Sequence, residues 1–351
     1  MGVNNVKKVL LHYFSGTGNS LLAAKQLSNE LAKYDLEVVF YAIENGSYYN
    51  NDIYHFHIFF FPIYATALPH IMLKYINNLP DGKNSRAVVI STNGTINTLF
   101  RDGYQGWALH QARIYLKLRH YNVFLTDTLD YPHNITIAIP PRKDIYNQKI
   151  INKASEKLPL IAEKIAKNQK SHRNIFIPNI LWSVPFGILF SVFGRHSIGK
   201  MFVADSSCNS CGLCYNNCPS KTIKVKKGKI KWNFNCEGCL RCINYCPKHA
   251  IQVSAFRLIV ILLTTYIYFF SIIHRISLIG TINNFGNTGS TILCILLNST
   301  LFLITFLFLD WAMFKISYIP VIKNIINWGI TKFWGRYSAK KFDKHYPNTD
   351  K

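Results

Sequence analysis

Two stretches of the chain repeat one cysteine spacing, C-x2-C-x2-C-x3-C-P. Cys208, Cys211, Cys214 and Cys218 precede Pro219, and Cys236, Cys239, Cys242 and Cys246 precede Pro247. Eight of the nine cysteines are committed to this block, and thiolates so closely spaced wrap the corners of an iron-sulfur cubane. A structural zinc site is the alternative, but zinc ribbons present pairs of cysteines to one tetrahedral ion and leave two complete quartets unexplained. Crowding of this kind is metal-site clustering, not a disulfide framework stapling a secreted chain, and implies a reducing compartment. Cys294 lies in an apolar run, where a cysteine behaves as a small hydrophobe, and receives no ligand role.

At 351 residues the chain exceeds one domain of roughly 150 residues. Hydrophobic residues make up 49% and charged residues 16%, well below the roughly 25% charge of soluble chains. Disorder is excluded, and the balance favours contact with lipid. The net charge of +23 asks for a negative neighbour, whether nucleic acid, anionic lipid or an acidic protein. No nucleic-acid fold motif accompanies the lysines, which flank apolar spans, so nucleic acid is not expected. The N-terminal apolar run, broken by Gly16, does not read as an export signal.

Residues 1–170 alternate strand-like runs at 9–14, 36–41, 56–61, 86–91 and 122–127 with stretches of helical periodicity. Five strands so continuously apolar are buried on both faces, which predicts an α/β doubly wound parallel sheet between helices, with ligands beyond the strands' carboxyl ends. Ser15, Gly16, Thr17, Gly18, Asn19 and Ser20 join the first strand to the first helix. There backbone N–H groups and the hydroxyls converge on a phosphate at the helix's positive end. The loop lacks the lysine of a nucleotide-hydrolysing P-loop and the glycine pattern of a dinucleotide site, so a flavin monophosphate fits better than ATP or NAD.

This loop resembles the FMN phosphate loop of flavodoxins, and the cysteine block resembles bacterial dicluster ferredoxins. Together, residues 8–254 look like the family of flavodoxin-like and dicluster [4Fe-4S] ferredoxin fusions. The resemblance implies FMN and two [4Fe-4S] clusters. It assigns Cys208, Cys211, Cys214 and Cys246 to one cluster and Cys236, Cys239, Cys242 and Cys218 to the other, the fourth cysteine of each run crossing over. It adds flavin contacts from the loops after the third and fourth strands, Pro62 and Tyr64 in one and Thr92, Asn93 and Gly94 through Gly103 in the other. Tyr64 either stacks on the flavin or packs in the core. Tyr131, where the family places a methionine in M-P-x-N, either faces the flavin or sits in a turn. Ala65 and Thr66 depart from the glycines usual after the family's tyrosine, and the block's lysines, Lys221, Lys224, Lys226, Lys227, Lys229, Lys231 and Lys248, with Arg241, depart from its acidic face. A hairpin is expected between the cysteine runs and a short strand after Pro247. His12, His55 and His57 read as sheet histidines, not ligands.

The function expected is electron transfer between FMN, two clusters and an unidentified redox protein or small-molecule acceptor. No Ser, His and Asp set marks catalysis, and whether the chain itself reduces a substrate stays open. The alternative is a membrane-bound redox sensor with the same cofactors. The expected units are a flavodoxin-like domain at 1–170, a linker with an interfacial apolar segment at 171–205, a small α+β ferredoxin domain at 206–254, two transmembrane helices at 256–315 and a basic cytoplasmic tail at 316–351. The apolar stretches 258–279 and 291–314 are each long enough to cross about 30 Å of hydrocarbon. Their connection, 280–290, carries no Lys or Arg, whereas basic residues lie on both outer flanks. This predicts a multi-pass cell-membrane hairpin with the cofactor domains in the cytoplasm. Arg275 snorkels outward, Asp310 sits near the inner end of the second span, and neither is assigned a proton-relay role.

Overall fold

A computed structural model describes residues 7–46, 54–95, 104–174, 177–226, 228–282 and 288–339. Residues 96–103 of the loop after the fourth strand, Lys227, residues 283–287 of the span connection and the tail from residue 340 lie outside the described residues.

Strands β1 (Lys7–Tyr13), β2 (Leu36–Ala42), β3 (Phe56–Pro62), β4 (Arg86–Thr95) and β5 (Asn122–Pro132) alternate with α1 (Asn19–Ala32), α2 (His70–Asn77) and α3 (Ala108–Leu118). Helices α4 (Asp144–Ser155) and α5 (Leu158–Ala166) follow. The sheet is parallel, ordered β2-β1-β3-β4-β5, with β6 (Ser171–His172) added at the β5 edge. This is the flavodoxin-like order, whose switch point lies between β1 and β3. The sixth strand goes beyond the five expected. Two residues, Ser-His, carry no apolar run, and they pair only because Leu125 and Thr126 of β5 offer an edge.

β3 explains why the strands read as unbroken apolar runs. Phe56, Ile58 and Phe60 pack with Ala23, Leu27 and Leu31 of α1, while Phe59 and Phe61 pack with Met72 and Ile76 of α2 and Ala112 of α3. A strand covered on both faces has no polar side to alternate. Two of the three histidines, His12 and His57, are satisfied within this sheet, whereas His55 stands exposed just before β3. His12 Nδ1 lies 2.7 Å from the Tyr75 hydroxyl and His12 Nε2 lies 3.0 Å from His57 Nδ1. Burial lowers the His57 pKa to about 4, and burial together with His57 lowers that of His12. Both are neutral when folded, whereas the unfolded chain takes up protons near 6.5. Stability is therefore full above about pH 6.5 and falls as pH drops toward 4. Denaturant midpoints across that window test this: a flat profile, or one no flatter in His12→Gln/His57→Gln, removes the assignment.

The stretch expected as linker is largely helical: α6 (Ile177–Leu189), a π-helical turn at Phe190–Gly194, and α7 (Arg195–Met201). β7 (Phe202–Ala204) then pairs antiparallel with β10 (Ile251–Val253), so the cluster unit begins inside that stretch. Between them lie α8 (Leu213–Asn216), the hairpin of β8 (Ile223–Lys226) and β9 (Lys229–Trp232), and α9 (Arg241–Tyr245). Phe202, Ile223, Trp232, Ile243, Ile251 and Val253 form the small core. The expected hairpin and short strand are both present.

α10 (Ala255–Ile282) and α11 (Thr288–Ile316) contain segments Ala255–Arg275 and Thr291–Ile316, long and apolar enough to cross a membrane. Arg275 is exposed. Asp310 has partners that local sequence does not announce: Lys200 Nζ lies 2.7 Å from Oδ2 and Arg257 Nη1 3.3 Å from Oδ1, all three buried. This network ties α7 to the bases of both long helices. After α12 (Pro320–Ile326) the tail is not a free basic segment. Ile330 N donates to Val253 O at 2.9 Å, Tyr337 N donates to Asn244 Oδ1 at 2.9 Å, and Ala339 N reaches Thr17 O at 3.0 Å. Over the described residues, the chain after the hairpin thus crosses the cluster unit and reaches the phosphate loop at Ala339.

Candidate functional site

The loop after β1 is shaped by its own hydroxyls. Ser15 Oγ accepts from Gly18 N at 3.1 Å and Leu21 N at 3.3 Å, and Gly18 takes φ 100°, a left-handed value that glycine adopts without strain. α1 begins there with no acidic residue in its first turn, which leaves its positive end uncompensated and suited to an anion. Ser20 Oγ lies 2.7 Å from Thr92 Oγ1, and Asn134 Nδ2 donates to Thr17 Oγ1 at 2.9 Å. The loop, the end of β4 and the segment after β5 are thereby locked together.

These elements wall a cavity of about 360 Å³, within the roughly 300–1,000 Å³ of small-molecule sites. Ser15, Gly16, Thr17, Asn19, Ser20, Pro62, Tyr64, Thr92, Asn93 and Gly94 all line it; of the expected contacts among the described residues, Gly18, which shapes the turn, and Thr95 stand back. Its fit to a flavin mononucleotide rests on three features: the hydroxyl-rich helix start, largely apolar walls, and a buried Tyr64 hydroxyl with no hydrogen-bond partner. Burial, with Cys239 and Glu237 beside it, pushes the Tyr64 phenol well above its ordinary pKa, so it stays a donor. Tyr64 also meets Phe14 edge-on at 6.2 Å. Tyr131 lines the cavity while its hydroxyl donates to Gln26 Oε1 at 2.6 Å, and it belongs to the end of β5, not to a turn.

Two walls were not legible in the sequence. Phe186 of α6, Phe190 of the π-turn and Ile198 of α7 close one side, and Gly238 and Leu240 of the cluster unit close another. A Cβ on Gly16 would stand 2.5 Å from the Tyr64 hydroxyl and 2.7 Å from the Cys239 carbonyl, so only glycine permits this approach of the phosphate loop to a cysteine run. Arg241, read only as one basic residue among many, fastens the same junction. It pairs with Glu44, Nη1 to Oε2 at 2.7 Å, and donates to Ser15 O at 2.7 Å, Gly16 O at 3.1 Å and Asn217 O at 3.0 Å. At the other end Tyr337 donates to Asn19 Oδ1 at 2.6 Å.

The cysteines line two separate cavities. Cys208, Cys211, Cys214 and Cys246 line one cavity of about 320 Å³, and Cys218, Cys236, Cys239 and Cys242 line a second, narrower one. Among the described residues no three His, Cys, Asp or Glu side chains close on a point as a single metal ion requires. Backbone amides already face sulfur: Gly238 N to Cys236 at 3.4 Å, Thr222 N to Cys218 at 3.4 Å and Ala250 N to Cys246 at 3.2 Å. Burial pushes the Cys236 thiol up to about 12 and raises those of Cys239 and Cys242 as well. Thiolates are stable there only when bound to cationic metal. The first set is the outer one, with Cys211 exposed, while Cys236 and Cys239 are buried, Cys239 against the flavodoxin-like unit.

Residues 207–259 match the 4Fe-4S dicluster domain family. No curated protein matches the chain. Among solved structures it is similar to a flavodoxin of Streptococcus pneumoniae TIGR4, at 15% identity and TM-score 0.33, over 46% of this chain and 99% of that one. It is also similar to flavodoxin 2 of Bacillus cereus, at 18% identity and TM-score 0.35, with the same coverage. The chain is thus a flavodoxin-like sheet fused to a 4Fe-4S dicluster domain, with two helices fit to span a membrane, and its domains are those of a redox, electron-transfer protein.

Proposed function

We propose that the chain is a membrane-held electron-transfer protein that relays electrons along one line, from FMN beside the phosphate loop through an inner [4Fe-4S] cluster to an outer one and on to a partner. A flavin takes electrons singly or in pairs while each cluster moves one, so the fusion converts between the two. The observation that carries this reading is the shared wall: Gly238 and Leu240, on either side of Cys239, line the flavin cavity. Ser15 to Ser20 would hold the phosphate and Tyr64 would donate to the ring. Cys218, Cys236, Cys239 and Cys242 would hold the inner cluster, and Cys208, Cys211, Cys214 and Cys246 the outer. Lys221, Lys224, Lys226 and Lys248 are exposed on the cluster unit, and Lys248 lines the outer cavity, which favours an acidic redox protein as partner. The basic flanks and uncharged connection of the hairpin favour cofactor domains on the cytoplasmic side.

Anaerobic purification should yield one FMN and roughly eight iron per chain, as two four-iron clusters require. Cys211→Ala and Cys239→Ala should each lose about half the iron, with different consequences. Photoreduced flavin should still pass an electron to the remaining cluster in Cys211→Ala, seen by electron paramagnetic resonance, and should fail to do so in Cys239→Ala. Stoichiometric zinc without iron, or equal transfer in both variants, overturns the relay.

A further inference from the structure

α6 is built inside out. The residues it turns toward the flavodoxin-like unit are small: Ser183, fully buried, whose carbonyl accepts from Thr66 Oγ1 at 2.8 Å, and Gly187, where a Cβ would stand 2.7 Å from Trp107 Nε1 and 2.9 Å from Ala67 Cβ. The residues it turns outward are large and apolar, Leu181 at 76% exposure, Ile188 at 50% and Leu189 at 58%, with Val192 and Phe193 continuing the stripe across the π-turn. A helix bathed in water buries the opposite set.

We infer that the outer face of α6 and the π-turn lies in the headgroup region of a lipid bilayer, a membrane contact separate from the hairpin. The inference rests on the membrane reading above. Continuity argues for lipid as the occupant. α6 runs through the π-turn into α7, whose Lys200 pairs with Asp310 of α11 and whose Lys200 carbonyl accepts from Arg257 of α10 at 3.1 Å. The exposed stripe therefore leads directly to the bases of two helices, α10 coated with exposed Ile259, Leu262, Leu263 and Tyr266 and α11 with exposed Ile304, Leu307 and Phe308. Crossing the bilayer is ruled out by the other face: a helix packed along Thr66, Ala67 and Trp107 of a polar domain cannot be ringed by hydrocarbon, so it lies in the plane. Trp182, stacked on Tyr104 at 5.7 Å, is the amphipathic ring expected at that depth. Phe186 and Phe190 of this segment wall the flavin cavity, so the cavity sits at the membrane surface with one wall backed by lipid.

The test uses the cofactor-loaded chain with Cys294→Ala, in vesicles of phosphatidylcholine and phosphatidylglycerol, carrying one nitroxide at Ile188→Cys, Leu263→Cys or Lys170→Cys. Collision with oxygen against collision with a water-soluble nickel chelate reports depth. Ile188 should favour oxygen, as Leu263 does, by about tenfold or more over Lys170, as a difference of roughly 1.4 kcal/mol in partitioning gives. If Ile188 reports water while Leu263 reports lipid, the α6 contact is wrong and the hairpin stands. If Ile188 is shielded from both quenchers, a second protein surface covers it and the inference falls. Water at both Ile188 and Leu263 overturns the membrane reading and this inference with it.

Discussion

Thr17→Asp is expected to abolish FMN binding while leaving the iron content unchanged. Thr17 is 2% exposed at the start of α1, and its Oγ1 is held by Asn134. A carboxylate there would meet the flavin phosphate at close range. Two unit charges about 4 Å apart at an effective dielectric near 20 repel by about 4 kcal/mol, roughly three orders of magnitude in affinity. Thr17 stands just before the N-cap Gly18, so a carboxylate there faces the positive end of α1, worth about 0.3–1 kcal/mol against the cost of burying it. Unchanged iron content in the FMN-free variant separates lost binding from misfolding. Equilibrium dialysis measures the binding, and undiminished affinity in the variant removes the phosphate from this loop.

What local sequence announces is what depends on neighbours along the chain. The cysteine quartets, the phosphate loop and the doubly buried strands are contiguous patterns, and each falls where the spacing or periodicity puts it. What it does not announce comes from elements far apart in the chain. Arg241 and Glu44 are separated by 197 positions and Tyr337 and Asn19 by 318, and nothing in either neighbourhood marks the partner. Asp310 looks like a lone carboxylate near a span's end until Lys200 and Arg257 arrive from two other helices. α6 is the instructive case, since its apolar residues suggested an interfacial linker. The signal for its second role was in the small residues, Ser183 and Gly187 one turn apart, which allow close approach to the sheet's loops and bring Phe186 and Phe190 over the cavity.

Arg241→Met should produce the largest loss of stability of any single change at the interface, up to about 3–5 kcal/mol, because it strips the partner from a largely buried carboxylate. The side chains of Arg241 and Glu44 are 8% and 14% exposed, and the methionine fills the volume without replacing a donor. The loss should be specific in form. Arg241 stands between the inner-cluster cysteines Cys239 and Cys242 and donates to the carbonyls of Ser15 and Gly16, so its removal frees the phosphate loop from the cluster unit. FMN affinity should fall with stability although Arg241 does not line the flavin cavity. Arg241→Lys, which keeps the charge but not the planar fork, should recover only part of either. Arg241→Met combined with Glu44→Leu removes both buried charges and should regain most of the stability, since an ion pair replaced by apolar side chains costs little. The same double variant should not regain the affinity, because the carbonyls of Ser15 and Gly16 still lack their donors. Denaturant midpoints and flavin titrations on the four proteins separate the two effects. A double variant that restores FMN binding as fully as it restores stability would reduce Arg241 to a structural ion pair and remove it from the organisation of the flavin site.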